Sequence, residues 1–292
     1  MKTNFRAREP FAGILEKCAR DHVCVSPAKP ERFIRIMKEN QGVAGAFGGG
    51  FDKDGLEKKN PVVVGLGDSV TAGHFESLLP VTEKGIQEFV ALMARVQKGE
   101  AVPPVSEITD ARESYLEKFR GRLIEKYELT SVSTINAGIA GDTIIGMSKR
   151  AERDVIRYQP DLVLINGSLN WSADLGDAGD FEKILTSLVR RIKEETSADI
   201  ILLTPNGDRE NDMPIMTMMN VPAVIPDTEE RAEAIRRVAK KEEVCLADVR
   251  AVWSEAKEAG CPWRELLANS VNHPGVEGHE VYAEVLMKLF ED

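Results

Sequence analysis

Short β-branched apolar runs alternate with longer amphipathic stretches through most of the chain. The runs at residues 61–64 (PVVV), 131–135, 162–165, 199–203 and 243–247 are too short for helices, and their Val, Ile and Leu content suits strands of a sheet interior. Between them, residues 110–127 place Tyr115, Leu116, Phe119, Leu123 and Ile124 at helical spacing. Further helices are expected from the turn at 136–143 to about 158, where Pro160 stops the pattern, and from 180 to about 195. Others follow at 227–241, 249–259, 263–267 and 277–290. Five strands alternating with helices predict an α/β fold, a three-layer α/β/α sandwich on a five-stranded parallel sheet. Parallel strands need helical crossovers, and these cover both faces.

Two stretches depart from the alternation. Residues 1–60 hold a short helical pattern at 11–20, a strand or helical turn at 33–38 and a glycine-rich loop or hairpin at 42–55. They are expected to form an N-terminal arm packed on a domain spanning 61–292. A detour at about 75–108 separates the first strand from its helix. Within it, Ile86, Phe89, Val90, Met93 and Val96 recur at helical spacing before the breaker Val102-Pro103-Pro104. Such a helical insertion is a candidate lid or pocket wall, with an oligomer contact or an added surface helix as plainer alternatives. Met213, Met216, Met218 and Met219 lie in a later loop, either as an adaptable acyl or lid surface or as irregular core filling.

Composition narrows the function classes. With 292 residues, 42% of them hydrophobic, the chain can bury a full core without metal or disulfide. A net charge of -10 with no compensating basic run argues against nucleic-acid or anionic-membrane partners. Cys18, Cys24, Cys245 and Cys261 show no CxxC pairing, which disfavours zinc and redox motifs. Free thiols in a reducing compartment are expected, a Cys18–Cys24 link being the alternative. The first twenty residues scatter charge through their apolar positions, unlike a signal peptide or membrane span, so a cytoplasmic location is expected.

Candidate chemistry clusters at the expected strand ends. Gly65 and Gly67 are expected to break the first strand, placing Ser69 on the turn that leaves its C-terminal end, where ligands of open parallel sheets bind. Helix capping is the plainer role for such a serine. Near the end of the chain, Asn272-His273-Pro274 and Gly278-His279 open the last helix, and a base arriving there is what a hydroxyl nucleophile requires. Gly138, Gly141 and Asn170 occupy intervening strand ends. Backbone amides of Ser69 and Gly141 with the Asn170 carboxamide could hold a developing oxyanion. Singly, Gly141 reads as a turn, Asn170 as a loop cap and His273 as a helix-start histidine; their joint order is what points to acyl transfer. His279 could suggest a metal pair with His273, but no carboxylate or cysteine cluster completes one, and a structural hydrogen bond is the better expectation. His22 and His74 show no partner in the sequence, although His74 could line the pocket.

Gly67-Asp68-Ser69-Val70, Gly141-Asp142-Thr143, residues 161–170 and Asn272-His273-Pro274 with Gly278-His279 resemble the four motif blocks of the SGNH (GDSL) hydrolase superfamily. The resemblance runs over roughly residues 61–290. It implies a flavodoxin-like sandwich and a bacterial GDSL-type serine esterase without cofactor or metal. Ser69 would be the nucleophile and an amide donor, Gly141 and Asn170 the other oxyanion donors, His273 the base, and Asp68 a structural member of the turn.

Two departures stand out. The third block, usually glycine-x-asparagine-aspartate, is Ser168-Leu169-Asn170-Trp171, and Trp171 could stack on a sugar ring or fill space. The aspartate that usually stands three residues before the histidine is Ser270, preceded by Asn269. A Ser69–His273 dyad oriented by a neutral acceptor is therefore expected, with Asp174 or Asp177 as alternative carboxylates. The resemblance favours a short-chain ester substrate, above all an O-acetyl group on a carbohydrate. A lysophospholipase- or thioesterase-like acyl hydrolase and a non-catalytic saccharide-binding relative are the alternatives. A homo-oligomer is compatible with all three.

Overall fold

The computed structural model describes residues 24–40, 60–76, 107–128, 131–207, 228–261, 263–268 and 272–291, with a few positions among 13–17 and 91–100. Most of the helix expected at 83–98, the 42–55 segment, Met213 to Met219, Cys18 and His22 lie outside the described residues. In chain order the elements are α1 (Glu31–Glu39), β1 (Val62–Gly67), the helical turn α2 (Ser69–Ala72), β2 (His74–Glu76), β3 (Glu107–Thr109), α3 (Tyr115–Lys126), β4 (Ser133–Gly138), α4 (Ile144–Asp154) and β5 (Leu162–Asn166). They continue with α5 (Ala178–Glu195), β6 (Asp199–Leu203), α6 (Thr228–Lys241), β7 (Cys245–Ala247), α7 (Val249–Glu258) and α8 (Val276–Lys288).

Five strands form one parallel sheet in the order β4-β1-β5-β6-β7. Alternation along each central strand assigns side chains to two cores. Val63, Leu162, Leu164, Ile201 and Leu203 face one side, where α3, α7 and α8 pack through Tyr115, Phe119, Trp253 and Tyr282. Val64, Leu66, Val163, Ile165, Ile200 and Leu202 face the other, against Met147 of α4, Phe181 and Leu188 of α5 and Ile235 of α6. Apolar residues on both sides of one strand are affordable only when helices cover both faces, and the expected sandwich is what forms.

Several boundaries differ from those the sequence suggests. β1 runs through both glycines to Gly67, because parallel neighbours on each edge pair with it up to that residue. The helix expected from 110 starts at Tyr115: Asp110 first caps a 3-10 turn, Ala111–Glu113, by accepting from the Arg112 N–H. The segment at 33–38 is helical, within α1, and 263–267 is a 3-10 turn, Trp263–Leu266.

α1 buries Phe33 and Met37 against the sheet, with Phe33 edge-on to Phe290 at 6.1 Å. The Phe33 N–H donates to the Asp199 carboxylate at 2.7 Å, and Arg32 pairs with Asp161. Val25 forms an antiparallel bridge to Ala247 on the otherwise open β7 edge. Among the described residues no helix is long and apolar enough to cross a membrane.

The strand order creates the place where chemistry can occur. From β1 the chain goes to β4 on one side, then crosses to β5 on the other, and in open parallel sheets ligands bind where the direction of winding reverses. Gly67 is in register with Gly138 of β4 and Asn166 of β5, so three strands end at one level. The loops carrying Ser69, Gly141 and Asn170 therefore start side by side.

Candidate active site

Ser69 opens α2, a single helical turn. Asp68 caps it, its Oδ1 accepting from the Val70 N–H at 3.0 Å, and Gly73 in the left-handed region (φ 78°) ends it. The Ser69 N–H, first in the turn, has no intrahelical acceptor by construction and is a donor in waiting. Gly67 permits this compact arrangement. A Cβ there would sit 1.9 Å from Thr71 Oγ1 and 2.7 Å from the Asn166 carbonyl oxygen, so the strand end can lie beneath the turn only without a side chain.

His273 reaches the same point from the far end of the chain, with Nε2 2.9 Å from Ser69 Oγ. Both residues are buried, at 4% and 6% exposure, so their contact is shielded from bulk water. The His273 loop is pinned from several directions. Its own carbonyl accepts from the Ala268 N–H at 2.8 Å, and Pro274 bridges to Leu267. Asn206, just beyond β6, donates from Nδ2 to the Asn272 carbonyl at 2.8 Å. The Tyr282 hydroxyl donates to Asn206 Oδ1 and accepts from the Asn206 N–H, both at 2.9 Å, tying the loop to α8. The ring of His74 packs edge-to-face on His273 with centroids 5.4 Å apart, and its Nδ1 lies 2.9 Å from Thr109 Oγ1. Those two residues sit on β2 and β3, which pair antiparallel at the root of the insertion.

Asn269 and Ser270, the expected orienting partners of the imidazole, lie outside the described residues. Of the alternative carboxylates, Asp177 caps α5 by accepting from the Asp180 N–H at 2.9 Å, and Asp174 sits in the 3-10 turn Ala173–Leu175.

The two other candidate donors share one loop system. Gly141 adopts φ 73°, a conformation that favours glycine, as the chain turns from β4 toward α4. Asn170 donates from Nδ2 to the Asp142 carbonyl at 3.0 Å, which orients the carboxamide and leaves its second N–H for another acceptor. Trp171 is buried, donates to the Gly176 carbonyl and packs edge-on to Phe181 at 5.6 Å. Of the two roles open to it, filling space is the one its surroundings match.

Burial shapes the electrostatics. It pushes the Asp68 carboxyl up to about 7, against the lowering effect of the Val70 amide. His279 is fully buried, accepts at Nδ1 from the Tyr115 N–H at 3.1 Å and is pushed down to about 3 by desolvation, so it is a neutral structural ring. The Cys245 thiol is raised to about 12 by burial, and Cys245 and Cys261 are free thiols. Among the described residues no group of three or more His, Cys, Asp or Glu side chains could hold a metal ion.

Sequence reasoning passed over two residues that shape this site, Arg150, which binds the loop before α4, and Asn206, and it placed His74 at the pocket without its contact to His273. Asn206 carried a signal, as a polar residue closing a strand at Thr204-Pro205-Asn206.

A hydroxyl and an imidazole in contact over the switch point of a parallel α/β sheet are the nucleophile and base that acyl-transfer chemistry requires. The chain belongs to the GDSL-like lipase/acylhydrolase family, whose model matches residues 66–281. It is accordingly a carboxylic ester hydrolase. An acetylxylan esterase from Geobacillus stearothermophilus is 27% identical over 179 residues, covering 58% of this chain and 76% of that protein. The solved structure of an acetylxylan esterase from the same organism superposes with a TM-score of 0.54 at 20% identity, covering 80% of this chain and 95% of the other. An α/β hydrolase enzyme from the metagenome of Lake Arreo, Spain, gives 0.55 at 22% identity over 78% and 94%. These two likenesses concern the fold.

Proposed function

We propose that the protein hydrolyses short-chain esters, in particular O-acetyl groups carried by a carbohydrate, through an acyl-enzyme on Ser69. The observation that carries this reading is the 2.9 Å contact between Ser69 Oγ and His273 Nε2. The acetylxylan esterase relative supports the acetyl and saccharide parts of it.

Ester hydrolysis needs a nucleophile, a base and donors placed for the oxyanion. His273 Nε2 accepts the Ser69 proton as Oγ attacks the carbonyl carbon. The resulting oxyanion lies within a set made of the Ser69 and Gly141 amides and the Asn170 carboxamide. Collapse expels the alcohol, protonated by His273, and leaves an acyl-serine. Water then gives a proton to His273 and attacks the acyl carbon; the carboxylic acid departs and Ser69 regains its proton. Asp68 acts as cap and spacer of the nucleophile turn rather than as a proton carrier. Asn269 or Ser270 supplies the neutral acceptor that orients the imidazole, since a tautomer with Nδ1 protonated is what leaves Nε2 free to accept.

We assign residues 61–292 to the catalytic domain, with the insertion at about 75–108 as a wall of its cleft, and residues 1–60 to an arm on its surface. Hydrolysis of 4-nitrophenyl acetate and longer nitrophenyl esters, alongside acetate release from acetylated xylooligosaccharides, by wild type and Ser69→Ala tests the proposal. Acetyl-selective turnover lost in the variant is the expected result. A preference for long acyl chains would displace the deacetylase reading in favour of a lysophospholipase- or thioesterase-like one, and equal rates for both proteins would leave only a saccharide-binding role.

A further inference from the structure

A single buried guanidinium touches the segments that lead to two of the proposed catalytic groups, Ser69 and Gly141, and through Asp142 is linked to a third, Asn170. Arg150, on α4, is 9% exposed, and it donates to four acceptors from different parts of the chain. Nη2 reaches the Gly67 carbonyl at 2.9 Å, the peptide immediately before Asp68-Ser69. Nη1 reaches the Ala137 carbonyl at 2.7 Å, at the end of the strand that leads to Gly141. Nε reaches Asp142 Oδ2 at 2.7 Å, and Nη1 also meets Asp154 Oδ2 at 2.8 Å.

Asp142 extends the chain of contacts. Its other carboxylate oxygen accepts from the Thr143 N–H at 2.9 Å, and its backbone carbonyl is the acceptor that aims Asn170. The Gly67 carbonyl also accepts from the Ile139 N–H at 3.1 Å, so the end of β1 is bound to the oxyanion loop both directly and through the arginine.

We propose that Arg150 is a positioning residue for the oxyanion hole, fixing the Ser69 turn, the Gly141 loop and, through Asp142, the Asn170 carboxamide in one geometry. This rests on the assignment of those donors under the proposed function. The chemistry favours arginine specifically. Its planar fork presents donors in several directions from one rigid group, whereas a lysine ammonium, a point charge with three rotatable donors, cannot span two strand-end carbonyls and two carboxylates together. Oxyanion stabilisation is sensitive to small displacements of its donors, because their contribution depends on being in place before charge develops. Arg150 touches no reacting atom in this arrangement; its effect passes through the peptides it holds.

The test is Arg150→Lys assayed with 4-nitrophenyl acetate, with circular dichroism and thermal melting to confirm folding. A fall in kcat of about ten- to a hundredfold with KM changed less than about threefold is expected, since misplacement of catalytic groups by about 1 Å costs rates of this order. Arg190→Lys, which alters a surface pair with Glu242, should leave kcat unchanged. A double-mutant cycle with Asn170→Ala separates positioning from general stability. If Arg150 acts in part through the Asn170 carboxamide, the double variant is faster than the product of the two single losses requires. Fully multiplicative losses, or wild-type kcat in Arg150→Lys, overturn the proposal. Should Arg150→Lys fail to fold, Asp154→Asn, which keeps the guanidinium but removes one carboxylate that holds it, is expected to lower kcat several-fold at constant KM; unchanged kcat there counts equally against it. Wild-type activity in Ser69→Ala would sink the active-site assignment itself, whereas an inactive Ser69→Ala beside a fully active Arg150→Lys sinks only the role of Arg150.

Discussion

Ser69 Oγ and His273 Nε2 stand 2.9 Å apart although 204 positions separate the two residues in the chain. Neither side chain has the means to do ester chemistry alone: a serine hydroxyl is a weak nucleophile until a base shares its proton. Ser69→Ala and His273→Ala are each expected to reduce kcat by at least about a thousandfold, and the double variant to be little worse than either, as for groups that act as a unit. Steady-state rates with 4-nitrophenyl acetate check this, and fully additive losses would contradict it.

Asn170→Ala removes a donor without removing charge. The loss should appear in kcat, by about a hundred- to a thousandfold, with KM nearly constant, because the oxyanion exists only beyond the ground state. Comparing kcat and KM for the same acetate ester checks the split.

Removing the amide of Asn206 frees the Asn272 carbonyl and takes away the acceptor of the buried Tyr282 hydroxyl. Asn206→Ala is expected to destabilise the fold by about 1–3 kcal/mol, the cost of leaving buried polar groups unsatisfied, and to lower kcat by loosening the His273 loop. Thermal melting and turnover measured on one preparation report both effects.

Asp68 makes stability depend on pH. Burial raises its folded carboxyl to about 7, whereas a free aspartate lies at 3.8. Between those values the native state binds more protons than the unfolded one, so this group's contribution falls as pH rises from about 4 to 7 and is flat above that, at about 1.4 kcal/mol for each pKa unit of difference. Asp68→Asn, still able to accept from the Val70 N–H, should remove that slope. Urea midpoints at pH 4.5 and pH 8 for both proteins measure it; identical slopes would contradict the raised carboxyl.

His74→Ala deletes the ring packed edge-on to His273 and held by Thr109. Aromatic edge contacts are worth about 0.5–1.5 kcal/mol, so a loss of several-fold in kcat is expected, with His74→Phe recovering most of it because the contact is one of shape. Failure of phenylalanine to restore the rate would point instead to a polar role for His74.

Much of the fold and part of the site could be read from residue order. Strands β1, β5 and β6 announced themselves because each is a short Val/Ile/Leu run whose alternate residues face two cores. Ser69, Gly141 and Asn170 were visible as motif blocks at the ends of such runs, and His273 as a motif block ahead of the last helix. Boundaries were less legible. Gly67 looked like a breaker, yet it belongs to β1 because strands on both sides pair with it. Trp171 stayed ambiguous between a sugar platform and core filling until its contacts with Phe181 and Gly176 were seen.

What the sequence determined by itself was the kind and order of elements, since the periods of strand and helix are properties of the backbone that side-chain spacing must match. It could not show which carbonyls Arg150 would bind, nor that Asn206 would hold the loop before His273. Those acceptors are main-chain atoms common to every residue, and they become specific only when the crossover from β4 to β5 brings Gly67, Ala137 and Asp142 around one guanidinium. Tertiary structure decided the geometry of the site because a hydrogen bond depends on distance and direction in space, which separation along the chain does not encode.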